Sequence, residues 1–547
     1  MADASGSGFE AEPLKGGEAE GGVSKKKSCT EKLGFSHLTG WRTAAFLFSL
    51  FLCLAVVFAF SFILPCPVRP QYFSTWNRTL PDAATYDFLA VEDANEDKVL
   101  DVLFIYKDSE ASRNTCLSED LSIPCLVLTA VDGTDGKMLW ERPLAAEFDW
   151  VECGVKGLGR QGTGCLVAHA DNLTAIDKKT GVIRWQQSRS SVLNGNLPLI
   201  SIQDLNADKA DDFAILSYNP EAPSFTPIPS ELVFFSGKSG DQIGSKANVD
   251  WNGVFGHQQF KTASGAPYLL LLTKSGLYAV SLRHLTELAG LESALKEEKS
   301  WKEKSDKTGL ISLYQSDSLK RVMVVPGSSS PSLLVQTDSS VSLLHTDKLK
   351  IAWSTNTSTL LSVPTFGQFD KDGIPDIMIE EDIGNKTKRV LVLSGSSGVV
   401  LWEVHLLFWT PSPRPASVLT LNTYSVFMLW GQSQSRGNQT NEMHSSFLLH
   451  PRYSQLLLER RNPAQNIISF KATLLERGRH AGYLVLTGPD GRQHADLGET
   501  EPVILTKRKI KEDVPESAVL RVGADESAVE EAEVKEAFYR LRFSETQ

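Results

Sequence analysis

Three short segments of the chain carry oxygen-bearing side chains at the spacing of a calcium-binding loop, that is, at positions 1, 3, 5 and 9. The residues are Asp93, Asn95, Asp97 and Asp101 in the first segment, Asp204, Asn206, Asp208 and Asp212 in the second, and Gln368, Asp370, Asp372 and Asp376 in the third. Side chains at these positions of a tight loop converge on one point, and several carboxylates favour Ca²⁺ over Zn²⁺ or Mg²⁺. The pattern predicts structural calcium that fixes a loop between strands, with no organic cofactor.

The segments depart from a strict calcium loop, which leaves a second interpretation open. Position 6 normally needs glycine for its sharp turn. The first two segments have Lys98 and Lys209 there, and the third has Gly373 but begins with the neutral Gln368. In the second interpretation, Asp and Asn side chains stabilise these turns without a metal.

Motifs that would indicate an enzyme are absent from the sequence. It contains no H-E-x-x-H, G-x-S-x-G or C-x-x-C pattern. The run Gly237-Lys238-Ser239 resembles a phosphate-binding loop, but Leu232 stands where the first glycine of that motif belongs. The carboxylate pattern recurs in three segments, which favours a structural role over acid–base catalysis. We therefore predict a protein that is not an enzyme, with a lumenal calcium-dependent enzyme as an alternative.

A second pattern, a turn followed by tryptophan, indicates the elements that carry the acidic segments. VDGTDGKMLW, IDKKTGVIRW and LSGSSGVVLW end at Trp140, Trp185 and Trp402, and weaker copies occur around Gly240 and before Trp353. Each reads as a β-hairpin, and a recurrence of roughly 45–50 residues is typical of four-stranded propeller blades. Quinone-dependent dehydrogenases have similar hairpins, but they use a vicinal Cys–Cys pair that this chain lacks. We interpret the tryptophans as blade-packing residues.

The three acidic segments begin at spacings close to two and three units of about 55 residues, which fits one blade per unit. The sequence therefore predicts an all-β fold, a β-propeller of eight blades with seven as the alternative. Two helices are also expected. One covers residues 283–304, with Leu285, Leu288, Leu291 and Leu295 on one face. The other lies near the C-terminus, capped by Asp525 or Ser527, with a stripe of Val534, Ala537, Phe538 and Leu541.

An uncharged stretch of 21 residues from Ala44 to Leu64 is long enough to cross the roughly 30 Å hydrocarbon core. Lys25–Lys27, Lys32 and Arg42 precede it, which predicts a cytosolic N-terminus and a type II single-pass protein. We expect a disordered cytosolic tail (1–43), a transmembrane signal-anchor helix (44–64), a juxtamembrane stalk (65–84), the propeller (85–512) and a C-terminal segment with a docking helix (513–547).

Everything after the anchor is then extracellular or lumenal, where glycosylation and disulfides form. Asn-x-Ser/Thr sites occur at Asn77, Asn172, Asn356, Asn385 and Asn438. Proximity in the sequence predicts the disulfides Cys116–Cys125 and Cys153–Cys165. Cys66 is left just outside the membrane, where it could link two chains, carry a lipid or stay free. The net charge of −11 argues against a nucleic-acid partner.

The D-x-N-x-D-x-x-x-D loop followed by an apolar strand resembles the FG-GAP repeat of integrin alpha subunits. The stretches SFILPCP (61–67), DFLAVEDANEDKVLDVLFIYK (87–107), LWERP (139–143), LVLTGP (484–489) and FYRLRF (538–543) carry a wider resemblance. Together they resemble the integrin-alpha FG-GAP-repeat-containing type II membrane proteins of family with sequence similarity 234, with its A branch the most similar. The resemblance implies a membrane glycoprotein with a propeller outside the membrane and no established catalytic activity.

From these observations we expect a non-enzymatic module that binds an unidentified protein or glycan through its propeller, because closed propellers offer a broad, rigid face. An accessory subunit or scaffold of another membrane protein is the alternative. The expected location is the plasma membrane or a secretory-pathway endomembrane.

Overall fold

The computed structural model describes residues 40–63, 75–108, 113–121, 123–144, 147–158, 162–169, 172–188, 195–218, 230–249, 251, 253–327, 331–409, 412–432, 443–475, 479–492, 501–522 and 530–544. The chain divides into two units, residues 1–71 and 72–547. In the first unit, helix α1 (Gly40–Ile63) is long and apolar enough over Gly40–Phe60 to cross a membrane. This candidate span overlaps the predicted anchor. Most of the predicted tail, and the stalk up to residue 74, lie outside the described residues.

The second unit is an eight-bladed β-propeller, as predicted, and it begins with β1 (Trp76–Leu80). Blades 1 to 4 follow in chain order: blade 1 is β2 (Ala83–Glu92), β3 (Asp101–Asp108), β4 (Leu126–Val131) and β5 (Met138–Pro143); blade 2 is β6 (Trp150–Leu158), β7 (Gly162–His169), β8 (Asn172–Asp177) and β9 (Ile183–Ser188); blade 3 is β10 (Gly195–Ile202), β11 (Asp212–Ser217), β12 (Ser230–Phe235) and β13 (Gln242–Val249); blade 4 is β14 (Val254–Lys261), β15 (Pro267–Thr273), β16 (Gly276–Ser281) and β17 (Leu310–Gln315).

The remaining blades follow the same antiparallel order: blade 5 is β18 (Leu319–Val324), β19 (Ser332–Thr337), β20 (Ser340–His345) and β21 (Lys350–Asn356); blade 6 is β22 (Thr365–Gly367), β23 (Asp376–Asp382), β24 (Thr387–Leu393) and β25 (Val400–Leu407); blade 7 is β26 (Ala416–Leu419), β27 (Ser425–Gly431), β28 (Met443–Leu449) and β29 (Leu456–Pro463); blade 8 is β30 (Ile467–Thr473), β31 (Gly482–Thr487) and β32 (Val503–Lys509).

Strand β1 completes blade 8 and closes the ring. It pairs antiparallel with β32, with Trp76 opposite Lys507 and Leu80 opposite Val503. The predicted stalk (65–84) therefore ends inside the propeller, because Trp76–Leu80 is a blade strand. The predicted end at residue 512 is also too early, since β33 (Ala518–Arg521) adds a fifth strand to blade 7 by pairing with β29.

The hydrophobic core lies between neighbouring blades. Central strands such as β4 are buried along their whole length, whereas the outermost strand β9 buries Trp185 between exposed neighbours. One cluster joins Ile105 and Leu128 of blade 1 to Val151 and Val167 of blade 2. The innermost strands also contact each other around much of the ring: β2 with β6, β10 with β6 and β14, β14 with β18, β22 with β26, and β30 with β26 and β2.

Both predicted disulfides are confirmed. Cys116, in helix α2 (Arg113–Ser118), bonds to Cys125 before β4. Cys153 and Cys165 face each other on β6 and β7 and are bonded. Cys66 lies outside the described residues.

The single helix predicted over 283–304 is wrong. The segment contains two short helices, α3 (Leu282–Leu288) and α4 (Lys299–Lys302), between β16 and β17. Gly290, with a φ of 74°, stands directly after the C-cap Ala289, in a left-handed conformation that cannot continue an α-helix. Leu285 is buried as expected, but Leu288 is exposed.

The C-terminal helix docks on the propeller as predicted. After the short helix α5 (Ile510–Asp513), helix α6 (Glu531–Tyr539) buries Val534 and Phe538 against a cluster from blades 7 and 8. Glu530 occupies the N-cap position of α6. The predicted caps, Asp525 and Ser527, lie outside the described residues.

Candidate ligand-binding site

The acidic segments join the first and second strands of blades 1, 3 and 6. The last position of each, Asp101, Asp212 or Asp376, begins the second strand and is buried. We call these three residues the tie aspartates. In blade 1, Asp101 Oδ2 accepts hydrogen bonds from the backbone N–H groups of Ala94 (2.8 Å) and Asn95 (3.1 Å), and Oδ1 accepts one from Gly133 (2.9 Å). The carboxylate therefore connects its own loop to the outer hairpin of the blade.

The same connection recurs in blades 3 and 6. Asp212 accepts from Leu205 N (2.6 Å) and Gly237 N (3.2 Å). Asp376 accepts from Phe369 N (2.6 Å) and Gly395 N (3.0 Å). Ionised carboxylates are strong acceptors for buried N–H groups, so each tie aspartate fixes two distant backbone segments of one blade.

Each glycine that donates its N–H to a tie aspartate also accepts a hydrogen bond from a tryptophan of the preceding blade. Gly133, Gly237 and Gly395 accept hydrogen bonds through their carbonyl oxygens from Nε1 of Trp76 (3.2 Å), Trp185 (2.9 Å) and Trp353 (2.9 Å), respectively. Trp140 and Trp402 make the equivalent bonds to Lys178 O and Ser454 O. The prediction that the tryptophans pack blades together is confirmed, and each contacts the hairpin of the following blade.

The backbone around Gly133, Gly237 and Gly395 leaves no room for a side chain at these positions. A Cβ atom on Gly133 would lie 2.0 Å from Leu100 O. On Gly237 or Gly395 it would lie 2.2 Å from Asp211 O or Pro375 O. The glycines are therefore required where the outer hairpin crosses the acidic loop.

Burial shifts the titration of the tie aspartates. Desolvation raises the pKa of Asp101 to about 6, although the N–H groups of Gly133 and Ala94 oppose this shift by stabilising the charge. Burial also raises the pKa of Asp212 and of Asp376. The hydrogen bonds therefore offset only part of the cost of burying these carboxylates.

The acidic loops form no metal site among the described residues. Asp97 Oδ1 accepts from Val99 N (2.7 Å), and Asp93 Oδ2 accepts from Lys98 N (3.1 Å). Asp93 Oδ1 is buried and has no hydrogen-bond partner in the described part of the chain. Within the described ranges, no group of three or more His, Cys, Asp or Glu side chains is placed to hold a metal. The arrangement is a set of hydrogen-bonded turns. Calcium at the loops stays a prediction.

Position 6 of each loop has a left-handed backbone, at Lys98 (φ 72°), Lys209 (φ 71°) and Gly373 (φ 83°). The two lysines therefore adopt a conformation that costs a non-glycine residue on the order of 1 kcal/mol. Replacing Lys209 with glycine should raise the free energy of unfolding by about 0.5–1 kcal/mol, measured by thermal unfolding of the purified full-length protein.

Lys156 in β6 provides the control for this substitution, since it lies on an extended strand outside the left-handed region. Lys156→Gly should lower stability by about 0.5–1 kcal/mol because glycine weakens a strand interior. Equal losses for both variants would mean that Lys209 carries no backbone strain.

A cavity of about 680 Å³ lies between the innermost strands of blades 1 and 8 and the segments that precede β22 and β26. We call it the central cavity. It contacts the middle of β2 at Asp87–Leu89 and the residues just before β22 and β26. The acidic loops follow the ends of β2 and β22, so the cavity is nearer the opposite ends of these strands. Its size is that of a small-ligand site.

The lining of the central cavity carries both signs of charge. Asp87 and Asp490 line it together with Arg414 and Lys471. Burial lowers the pKa of Lys471, and the charge of Arg414 lowers it further, while Glu92 opposes the shift. The Ser412 hydroxyl, also in the lining, is buried and has no hydrogen-bond partner among the described residues. The cavity therefore presents charged groups of both signs to a ligand.

A buried ion pair fixes one wall of the central cavity. Lys388 Nζ contacts Glu380 Oε1 at 2.5 Å, with both side chains almost fully buried, and Ser362 in the cavity lining donates to Glu380 Oε2 at 2.8 Å. Breaking such a pair leaves an uncompensated buried charge. We expect Lys388→Met to lower the free energy of unfolding by about 3–5 kcal/mol, measured by thermal and denaturant unfolding.

The double variant Lys388→Met with Glu380→Leu is the matched control, because it removes both charges. It should recover most of the lost stability. A double variant as unstable as Lys388→Met would show that packing, rather than the orphaned carboxylate, causes the loss.

The other residues selected from the sequence are spread over the surface. Asn77, Asn356 and Asn385 are exposed, and Asn172 is half-buried at the start of β8. Asn438 lies outside the described residues. Glycosylation at these asparagines stays a prediction. Sequence reasoning missed the cavity residues Asp87, Arg414, Lys471 and Asp490, because each comes from a different segment and no spacing in the sequence indicates that they meet.

Comparison with known proteins agrees with this architecture. The family described as FAM234A/B beta-propeller matches residues 76–544. Protein FAM234A of Rattus norvegicus is 33% identical over 522 residues, covering 93% of this chain and 92% of that protein. The human FAM234A protein has the same identity and coverage. Protein FAM234B of Mus musculus is 26% identical over 567 residues, covering 98% and 86%.

Solved structures align with this chain only at low similarity. The exotype rhamnogalacturonan lyase YesX aligns with a TM-score of 0.44 and 10% identity over 81% of this chain and 73% of that chain. BamB from Moraxella catarrhalis aligns with a TM-score of 0.39 and 10% identity over 79% and 98%.

The fold and the site define an eight-bladed β-propeller with a polar central cavity and an N-terminal helix that could span a membrane. The chain belongs to the FAM234A/B β-propeller family. The resemblance to family with sequence similarity 234 is confirmed, with higher identity to FAM234A than to FAM234B.

Proposed function

We propose that this protein is a non-enzymatic interaction module, a single-pass type II membrane glycoprotein whose propeller binds a protein or glycan. In this proposal α1 is the membrane anchor, and the propeller faces the exterior or the lumen of the secretory pathway. The central cavity is the observation that carries it. A rigid, closed ring presents Asp87 and Asp490 beside Arg414 and Lys471, which suits a ligand with charges of both signs.

Structural calcium at the acidic loops belongs to the same proposal, as a support of the blades. The binding surface is the central cavity, and no chemical step is assigned to it.

Charge reversal in the central cavity tests the proposal. Full-length protein on living cells is crosslinked to its neighbours, which are identified quantitatively, and compared with the double variant Arg414→Glu, Lys471→Glu. We expect a reproducible neighbour that the double variant no longer captures. Lys348→Glu, in a turn of blade 5, is the control for the change of surface charge and should capture the same neighbour. A neighbour set that is unchanged by the double variant would contradict binding through the cavity.

A further inference from the structure

A second cavity, of about 570 Å³, lies where loops of blades 6 and 7 meet the C-terminal segment. We call it the basic cavity. Lys371 comes from the acidic loop of blade 6, Tyr424 from blade 7, Arg452 and Tyr453 from the 3₁₀ turn after β28, and Arg540 and Arg542 from the residues that follow α6. It shares no lining residue with the central cavity.

The charge of the basic cavity is unbalanced. Four of its lining residues are cationic, and none of the described residues that line it is a carboxylate. Arg540 forms an ion pair with Glu536 at 2.6 Å. Lys371, Arg452 and Arg542 have no ion pair with the described part of the chain. This concentration of positive charge stands out in a protein whose net charge is −11.

The pKa of a buried histidine is lowered by its burial and by the same positive charges. His450 lines the cavity, is 4% exposed and accepts a hydrogen bond at Nδ1 from Arg452 N. Burial lowers the pKa of His450 to about 4, with further lowering by the charges of Arg452 and Lys371. The imidazole is therefore neutral at physiological pH, and the exposed cations alone set the charge of the cavity.

Hydrogen bonds to the propeller hold the backbone of the C-terminal segment, which carries part of the cationic groups. Leu421 N donates to Arg542 O (2.9 Å), and Phe543 N donates to Arg479 O (2.9 Å), which ties the end of the chain to the propeller. Arg542 Nη1 donates to the carbonyl oxygens of Arg540 (3.3 Å) and Leu541 (3.0 Å). Lys371 Nζ lies 4.0 Å from the centroid of the Tyr424 ring. These contacts hold the donors near the cavity before a ligand arrives.

We propose that the basic cavity binds a small organic oxyanion, meaning a sulfate ester, phosphate ester or carboxylate carried by a sugar-sized molecule. Guanidinium groups offer paired N–H donors that match the oxygens of these groups, and the volume suits one or two rings. The Tyr424 and Tyr453 rings supply apolar surface for the organic part.

Calorimetric titration of the full-length protein in nanodiscs of neutral lipid tests the site. The probes are a sulfated disaccharide, a sugar phosphate, a uronic acid disaccharide, the neutral parent disaccharide and inorganic sulfate. At least one organic oxyanion should bind, and the neutral parent should not. The double variant Lys371→Gln, Arg452→Gln should weaken that binding by roughly tenfold or more, whereas Lys348→Gln should leave it unchanged.

Three outcomes would overturn the site: no organic oxyanion binds, the neutral parent binds as tightly, or the double variant binds like the wild type. Inorganic sulfate that binds as tightly as the organic probes would also overturn it, since the site would then recognise bare anions. The result is independent of the central cavity, because Arg414 and Lys471 are intact in every variant used here.

Discussion

Replacing Asp212 with alanine should lower the free energy of unfolding by about 3 kcal/mol. The carboxylate is 2% exposed and accepts hydrogen bonds from the N–H groups of Leu205 and Gly237. Alanine would leave both donors without their acceptor and would release the loop of blade 3 from its outer hairpin. Trp185, which donates to Gly237 O, would also lose its fixed partner, so the contact between blades 2 and 3 should weaken. Thermal and denaturant unfolding of the purified full-length protein measure the loss.

Asp204 in the same loop provides the matched control. It is exposed and accepts from Asp208 N and Lys209 N, so Asp204→Ala should cost less than about 1 kcal/mol. Both variants should be measured with Ca²⁺ and with a chelator. The loss at Asp212 should be similar in both conditions, since its partners are backbone N–H groups. A loss seen only with Ca²⁺ would show that the carboxylate acts through a metal and would refute the tie.

Removing the first strand of the propeller should prevent the ring from closing. A chain that lacks residues 1–82 loses β1, which supplies five residue pairs to β32 and buries Trp76 and Leu80. It also loses the contact of Trp76 with Gly133 and Gly136 of blade 1. Loss of a buried tryptophan alone costs about 3–5 kcal/mol, and the open edge of β32 would be free to pair with other chains. We expect aggregation rather than a folded monomer, observed by size-exclusion chromatography.

A chain that lacks only residues 1–74 is the control for this truncation, because it retains β1. It should remain monomeric and unfold near the temperature of the full-length propeller. If the shorter truncation aggregates as well, residues before β1 contribute to closure. If the chain that lacks residues 1–82 folds, closure of the ring does not depend on β1.

Features carried by neighbouring residues could be predicted from the sequence. The Gly-x-x-x-Trp hairpins indicated the blades, since both the turn and the buried ring lie within ten residues. The acidic loops were located correctly, but the partner of Asp101 is Gly133, which belongs to a different hairpin. No spacing rule in one loop indicates that contact. The role of Asp101 as a tie therefore required the fold.

The errors have related causes. The sequence predicts a stalk at Trp76–Leu80 because nothing nearby indicates the pairing partner of this strand, which lies at the far end of the chain. The leucines of residues 283–304 repeat at helical spacing, yet Gly290 ends the regular helix after two turns. Asp87 of blade 1 and Lys471 of blade 8 come together only after the eight blades have formed a ring. Their proximity depends on closure of the propeller ring, which local sequence patterns do not indicate.

Closure through β1 also sets the order of events during synthesis. The ribosome makes β1 before any other part of the propeller, but its partner β32 appears roughly 430 residues later, which at 5–20 residues per second takes about 20–90 seconds. During that interval Trp76 and the edge of β1 lack their partner strand, however well the intervening blades have formed. A chain that terminates early cannot close its ring at all. The pairing of β1 with β32 therefore distinguishes complete chains from incomplete ones. In an incomplete chain β1 stays exposed, which is a feature by which quality control could recognise it.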